Sequence, residues 1–157
     1  MNEAVSPEEV AKWTRWFAIE CNNRAWRLSE ALARSPAEDE EMLHSAHAAA
    51  LHWGKVGTEL HRARATMLLA HVHALLGLGE SAMRHAKQSF DFVAAHESPA
   101  WEMAFAHAVL ANAAAAAGDA ALHARHHAIA RTLADALPDE EERAAFEATF
   151  RVVPVPG

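Results

Sequence analysis

Three residues that interrupt helices, Pro36, Gly77 and Gly118, stand 41 positions apart, and each separates two stretches whose apolar residues recur at helical spacing. That arrangement predicts a stack of helical hairpins with a fixed period. The segments that open each new hairpin keep the same step. Gly57-Thr58, Ser98-Pro99 and Asp139-Glu140 each supply a helix N-cap residue and a first helical residue. The fold class expected is all-α.

The first helix opens at Ser6-Pro7-Glu8-Glu9, a capping box with proline at the first helical position, and its pattern runs to about Arg34. Ser35-Pro36-Ala37-Glu38 repeats the device. Helix two is predicted to run to Gly54, helix three from Thr58 to Gly77, and helix four from Glu80 to about His96. Helix five spans Pro99 to Ala117, helix six Asp119 to Ala136, and helix seven, a terminal cap, Asp139 to Arg151. No stretch reads as a strand. Residues 1–151 are expected to form one domain, with residues 152–157 an extended tail, because Pro154 and Pro156 cannot continue a helix. A chain of 157 residues has room for a real core, burying roughly 70% of its unfolded surface.

Composition excludes several classes of function. The formal charge is −7 and no Lys/Arg stripe forms, which argues against a general binder of nucleic acid or anionic membranes. Protonating the twelve histidines would reverse the sign of the molecule, first of all a statement about solubility. Cys21 is the only cysteine, so no internal disulfide is available, and its place on an apolar-rich helix fits a packed thiol in a reducing compartment. The opening MNEAVSPEEV has neither a basic nor an apolar leader region, and the run Ala104 to Ala117 is broken by His107 and Asn112. A cytoplasmic protein without a membrane span is expected.

Thirty-nine alanines suit close helix packing, and the five tryptophans and six phenylalanines are expected to fill the remaining gaps. On helix two, Met42, Leu43, Ala46, Ala49, Ala50 and Trp53 fall on one side and Glu40, His44 and His47 roughly opposite.

With these turns and small residues the chain resembles the tetratricopeptide-repeat (TPR) family. Ala82 occupies the family's alanine position in the second helix of a hairpin, and Ala48, Ser89 and Ala130 its second small position. The period of 41 exceeds the family's usual 34, and Thr66 and His107 stand where its tryptophan would sit. The resemblance covers about Glu20 to Arg151. The string EEMLHSAHAAALHWGKVG, residues 40–57, is also similar to a stretch in a group of small bacterial TPR-like proteins with no assigned activity, and it carries fold without chemistry.

The resemblance implies that the first helix of each hairpin lines a concave groove. The family's groove positions map onto three rows: Asn23, Arg64 and Phe105; Trp26, Met67 and Ala108; Glu30, His71 and Asn112. Independently of any family, Arg64 and His71 fall within the apolar face of helix three defined by Leu60, Met67, Leu68 and Leu75, and Asn112 lies amid Trp101, Phe105, Ala108 and Val109. An arginine on an apolar face must be paired, hydrated or held for a ligand, because an unpaired buried charge costs several kcal/mol. One reading pairs Arg64 with Glu20, Glu30 or another internal carboxylate. The other makes Asn23, Arg64, His71 and Asn112 polar contacts for a peptide or anionic ligand against a wall of Trp26, Trp101 and Phe105. With five donors, Arg64 can serve both.

Metal is the competing chemistry. Glu41-x-x-His44 has the spacing of a carboxylate-histidine ligand pair, His47 and His52 add imidazoles nearby, and His71-x-His73 and His126-His127 add more. A second Glu-x-x-His is missing, and His44 and His52 point roughly 80° apart around their helix. No His-Glu-x-x-His, phosphate loop, Cys-x-x-Cys or nucleophile elbow occurs. The sequence therefore predicts a non-enzymatic binding or scaffold module without cofactor, with a protein or peptide partner and a possible homo-oligomer. The alternative is a metal-dependent or small-molecule enzyme using the helix-two histidines.

Overall fold

In the computed structural model, which describes residues 4–157, the chain forms α1 (Pro7–Ser29), α2 (Pro36–Val56), α3 (Glu59–Leu75), α4 (Gly79–Ala95), α5 (Ala100–Ala117), α6 (Ala120–Asp135) and α7 (Glu140–Phe150). The described residues contain no strand. Consecutive helices pack as hairpins, α1 with α2, α3 with α4 and α5 with α6, and α3 lies between α1 and α5. Odd-numbered neighbours touch one another along the stack, whereas no even-numbered pair makes comparable contact. The odd-numbered helices therefore form the inner, concave layer.

The three breaks work by two different means. At Pro36 the chain restarts: Ser35 is extended, its hydroxyl accepts from the Glu38 amide, and the Glu38 side chain accepts from the Ser35 amide. At Gly77 and Gly118 the chain stops, with φ of 75° and 78°, a left-handed conformation that a Cβ makes costly. The Leu78 amide then donates to the His73 carbonyl and the Asp119 amide to that of Ala114, both at 2.9 Å, so one C-terminal motif recurs at both turns.

Most predicted boundaries shift by one or two residues, and two of the shifts have a visible cause. Helix α1 ends at Ser29 rather than near Arg34 because Arg34 folds back, donating to the Leu28 and Ala31 carbonyls and pairing with Asp39 at 2.6 Å. Its guanidinium satisfies orphan carbonyls instead of extending the helix. Helix α2 passes through Gly54 to Val56, since one interior glycine costs only about 1 kcal/mol.

Alanine lets the layers approach. Ala82 and Ala130, assigned to the small positions of the repeat, are fully buried, and Ser89 nearly so. The packing expectation for the aromatics needs correction. Trp53, Phe146 and Phe150 are buried, but Trp13, Trp16 and Phe17 stand about half exposed on α1, because no described helix packs on that side of it. The tail folds back. Val153 is buried against the α5–α7 cluster, and His123 Nε2 lies 2.7 Å from the Pro154 carbonyl. Among the described residues no helix is long and apolar enough to cross a membrane.

Candidate functional site

The inner layer encloses a pocket of about 400 Å³. Helix α1 contributes Asn22 and Trp26, with Glu30 just past its end, α3 contributes His61, Arg64 and Met67, and α5 contributes Trp101, Glu102 and Phe105. Trp53 reaches in from the end of α2, and Ala145 and Thr149 from α7. Helix α7 thus walls the groove as well as covering the end of the stack. One hydrogen bond, from Arg151 Nη2 to the Glu30 carbonyl at 2.8 Å, joins the ends of α7 and α1.

Arg64 finds an internal partner, though neither Glu20 nor Glu30. Its Nε donates to Glu102 Oε1 at 2.7 Å and its Nη2 to Oε2 at 3.4 Å. Glu102 is 2% exposed, whereas the Arg64 side chain is 42% exposed and faces the pocket. The physical reason is register. Helices α3 and α5 align at a 41-residue offset, so the α5 residue one turn before Phe105 faces Arg64, while α1 presents Glu20 on its exposed side. The guanidinium carbon also lies 5.3 Å from the Trp101 ring centre, within cation–π range.

The aromatic wall is an edge-to-face chain: Trp26 to Phe105 at 6.2 Å, Trp101 to Phe105 at 6.0 Å, and Phe105 to Phe146 at 5.6 Å. Behind it stand His71 and Asn112, both buried and neither among the residues that line this pocket. The Asn112 amide nitrogen lies 3.1 Å from His71 Nδ1, and the His71 ring stacks on Trp26 at 5.7 Å. These two polar residues hold the back of the wall. Burial, then the charge of Arg34, pushes the His71 pKa down to about 4, so the ring is neutral. Asn23 is exposed and Ala108 buried in the α5–α7 core, so neither lines the pocket.

His61 closes the opposite end. Its ring stacks on Trp53 at 4.3 Å with the planes 6° apart, and Arg15 lies 5.5 Å over the same indole. The Thr58 amide donates to His61 Nδ1 at 3.1 Å, which completes the N-cap of α3. That bond makes Nδ1 an acceptor and places the ring proton on Nε2, so Nε2 can donate to a ligand but cannot act as a base. Burial, then Arg15 and Arg64, lowers the His61 pKa further.

Sequence reasoning missed Asn22, Trp53, His61 and Glu102, and on α7 Ala145 and Thr149. A signal existed for two of them. Glu20, His61 and Glu102 recur at the 41-residue step, each one turn before the row Asn23, Arg64, Phe105, so polar character repeats at that position of every inner helix.

The helix-two metal set disperses. Glu41 is ion-paired with Arg24, His44 is exposed, His52 stacks on Phe17, and His47 Nε2 lies 3.0 Å from His73 Nε2 on the next helix. A second pair, His107 and His126, meets at 2.8 Å between α5 and α6. Among the described residues no group of three or more metal-ligating side chains is arranged to hold an ion. Cys21 is half-buried, and burial raises its thiol pKa, as in a packed rather than a nucleophilic cysteine. Comparisons with protein-family models, with curated proteins and with solved structures return no match to this chain.

Proposed function

We propose that this protein is a non-enzymatic, TPR-like binding module of bacterial and cytoplasmic type, which uses its concave pocket to hold an apolar or aromatic side chain of a peptide or partner protein. The observation that carries the reading is the pocket itself. A 400 Å³ space walled by Trp26, Trp53, Trp101 and Phe105, with few polar groups at fixed places, is the usual form of a ligand site. The Arg64–Glu102 pair shifts the expected ligand away from a free anion, because the guanidinium charge is already neutralised. Its Nη1 makes no hydrogen bond within the described residues and suits a peptide carbonyl, as does the Nε2 proton of His61. Glu30 adds a carboxylate without an ionic partner among the described residues, favouring a neutral or basic segment.

The test is a randomised peptide array probed with wild type, Trp101→Ala and the pair Arg64→Met/Glu102→Gln. Wild type should select peptides carrying an aromatic or large aliphatic residue. Trp101→Ala should lose them, and the paired variant should keep its melting temperature while binding less tightly. Arg64→Met alone strands the Glu102 carboxylate and should cost about 2–3 kcal/mol of stability, less than for a fully buried pair because Arg64 is partly solvated. No peptide selected by wild type, or the same peptides selected by Trp101→Ala, would overturn the proposal.

A further inference from the structure

The N-terminal edge of the stack carries an aromatic patch that none of the described residues covers. Trp13, Trp16 and Phe17 are 53%, 48% and 45% exposed, Trp13 meets Trp16 edge-to-face at 6.2 Å, and Trp16 meets Phe17 at 5.0 Å. A terminal repeat usually keeps a polar outer face, and this one sets two tryptophans in the middle of it. At about 100° per residue, Glu9, Trp13, Trp16, Glu20 and Asn23 follow one another at steps of four and three. They form one stripe, on the side of α1 opposite the buried Ala18 and Ala25.

We infer that this stripe pairs with the same stripe of a second copy, the two α1 helices running antiparallel about a twofold axis at Trp16. Charge and shape select that occupant. An axis at Trp16 places Lys12 opposite Glu20 of the other copy, twice per dimer, and neither residue has an ionic partner among the described residues. The same axis sets Trp13 against Ile19, and Trp16 against its own counterpart. The opposite edge of the molecule presents no exposed aromatic on α7 among the described residues. The exposed residues of α7 include Glu140, Glu141 and Glu147, so head-to-tail stacking would oppose indoles to carboxylates. Only the self-complementary contact closes, and closure yields a dimer rather than a fibre.

The area is adequate. Aromatic side chains of about 150–250 Å² that remain half exposed leave roughly 300 Å² per copy on these three residues. Two copies thus supply roughly half of the 1,200 Å² at which stable interfaces begin. The remainder must come from the two flanks of the stripe, Val10 on one side and Ile19 on the other, and from the stems of the charged residues.

Sedimentation velocity over a micromolar to submillimolar dilution series tests the pairing. Wild type should be dimeric at the upper concentrations. Trp16→Glu should weaken the dimer by at least about tenfold while leaving the far-ultraviolet circular dichroism unchanged. Lys12→Glu and Glu20→Lys should each weaken self-association, and an equimolar mixture of the two should form a heterodimer, since each opposed pair is again of opposite sign. A wild type that stays monomeric throughout overturns the inference. So does a dimer that survives Trp16→Glu, and so does a mixture that associates no better than its components, which would refute the antiparallel register. None of these outcomes bears on the pocket.

Discussion

The two ends of the stack solve the same problem in opposite ways. At the C-terminal end α7 lies on α5 and α6, burying Phe146, Phe150 and Val153 against Ala104, Ala108, Ala130 and Ala134. Arg131 lies over both phenylalanine rings, at 5.5 and 5.2 Å, and pairs with Asp135 and Glu147 beside them. At the N-terminal end α1 keeps its small residues, Ala18 and Ala25, inside and three of its four large aromatics, Trp13, Trp16 and Phe17, outside. A solenoid edge that is covered by its own chain is finished as a monomer, whereas an edge that exposes tryptophans is finished by something else.

The largest expected effect lies at the covered end. Phe146 is fully buried, touches Phe105 and Phe150, and couples the cap to the pocket wall. Phe146→Ala should destabilise the protein by about 3–5 kcal/mol, the usual cost of an aromatic cavity, and should loosen the pocket with it. Chemical denaturation measures the first effect. Fluorescence of Trp101 and Trp26 reports the second. A loss below about 1 kcal/mol would mean that α7 is not part of the cooperative unit.

Acid should act between the ends, where the buried imidazoles lie. Burial, then neighbouring charges, holds His71, His73 and His107 down to about 4, against about 6.5 in an unfolded chain. Between those values the unfolded state binds more protons, so stability present above pH 6.5 is lost as pH falls towards 4. His71, fully buried, should account for roughly 3 kcal/mol of that loss. His73 and His107 sit in imidazole pairs nearer the surface and should add less. Urea midpoints at pH 7.5 and 5 check this, and a His71→Asn variant should flatten the dependence. Hydrogen exchange at the lower pH should lose protection first in α3 and α5. A pH-independent midpoint would contradict the buried neutral imidazoles.

What the sequence revealed follows the same division between local and distant causes. The breaks at Pro36, Gly77 and Gly118 were legible because capping boxes and left-handed glycines act within one turn of themselves. The inner-layer position of Arg64, Met67, Trp101 and Phe105 followed from a period that registers one helix on the next. Glu102 as the partner of Arg64, and the His47–His73 and His107–His126 pairs, depend on which turns of neighbouring helices face each other. Axial stagger decides that, and a 3.6-residue pattern does not encode it. Ala145 and Thr149 in the pocket were beyond reach for a different reason: α7 departs from the repeat, so extrapolating the period cannot place it. The exposed α1 aromatics misled because periodicity identifies a stripe without saying whether a neighbour exists to cover it.

The smallest expected effect lies at the open end, and its dependence on concentration is what makes it informative. Trp13 is as large as any side chain in the molecule, yet more than half of it is solvated, and among the described residues its aromatic and cation–π neighbours are Trp16 and the Lys12 ammonium 5.9 Å from its ring centre. Trp13→Gln should therefore change the unfolding free energy of dilute protein by less than about 0.5 kcal/mol, as for other surface substitutions. If the stripe is covered by a second copy, unfolding must also separate the dimer, and the apparent stability of the wild type should rise with protein concentration. Trp13→Gln, lacking the contact, should show no such rise. Thermal melts of both proteins across a hundredfold dilution then separate two sources of tryptophan burial. Equal midpoints when dilute and diverging midpoints when concentrated place the burial between molecules. A constant gap at every concentration would instead show that Trp13 already packs within one chain, and that the N-terminal edge is as finished as the other.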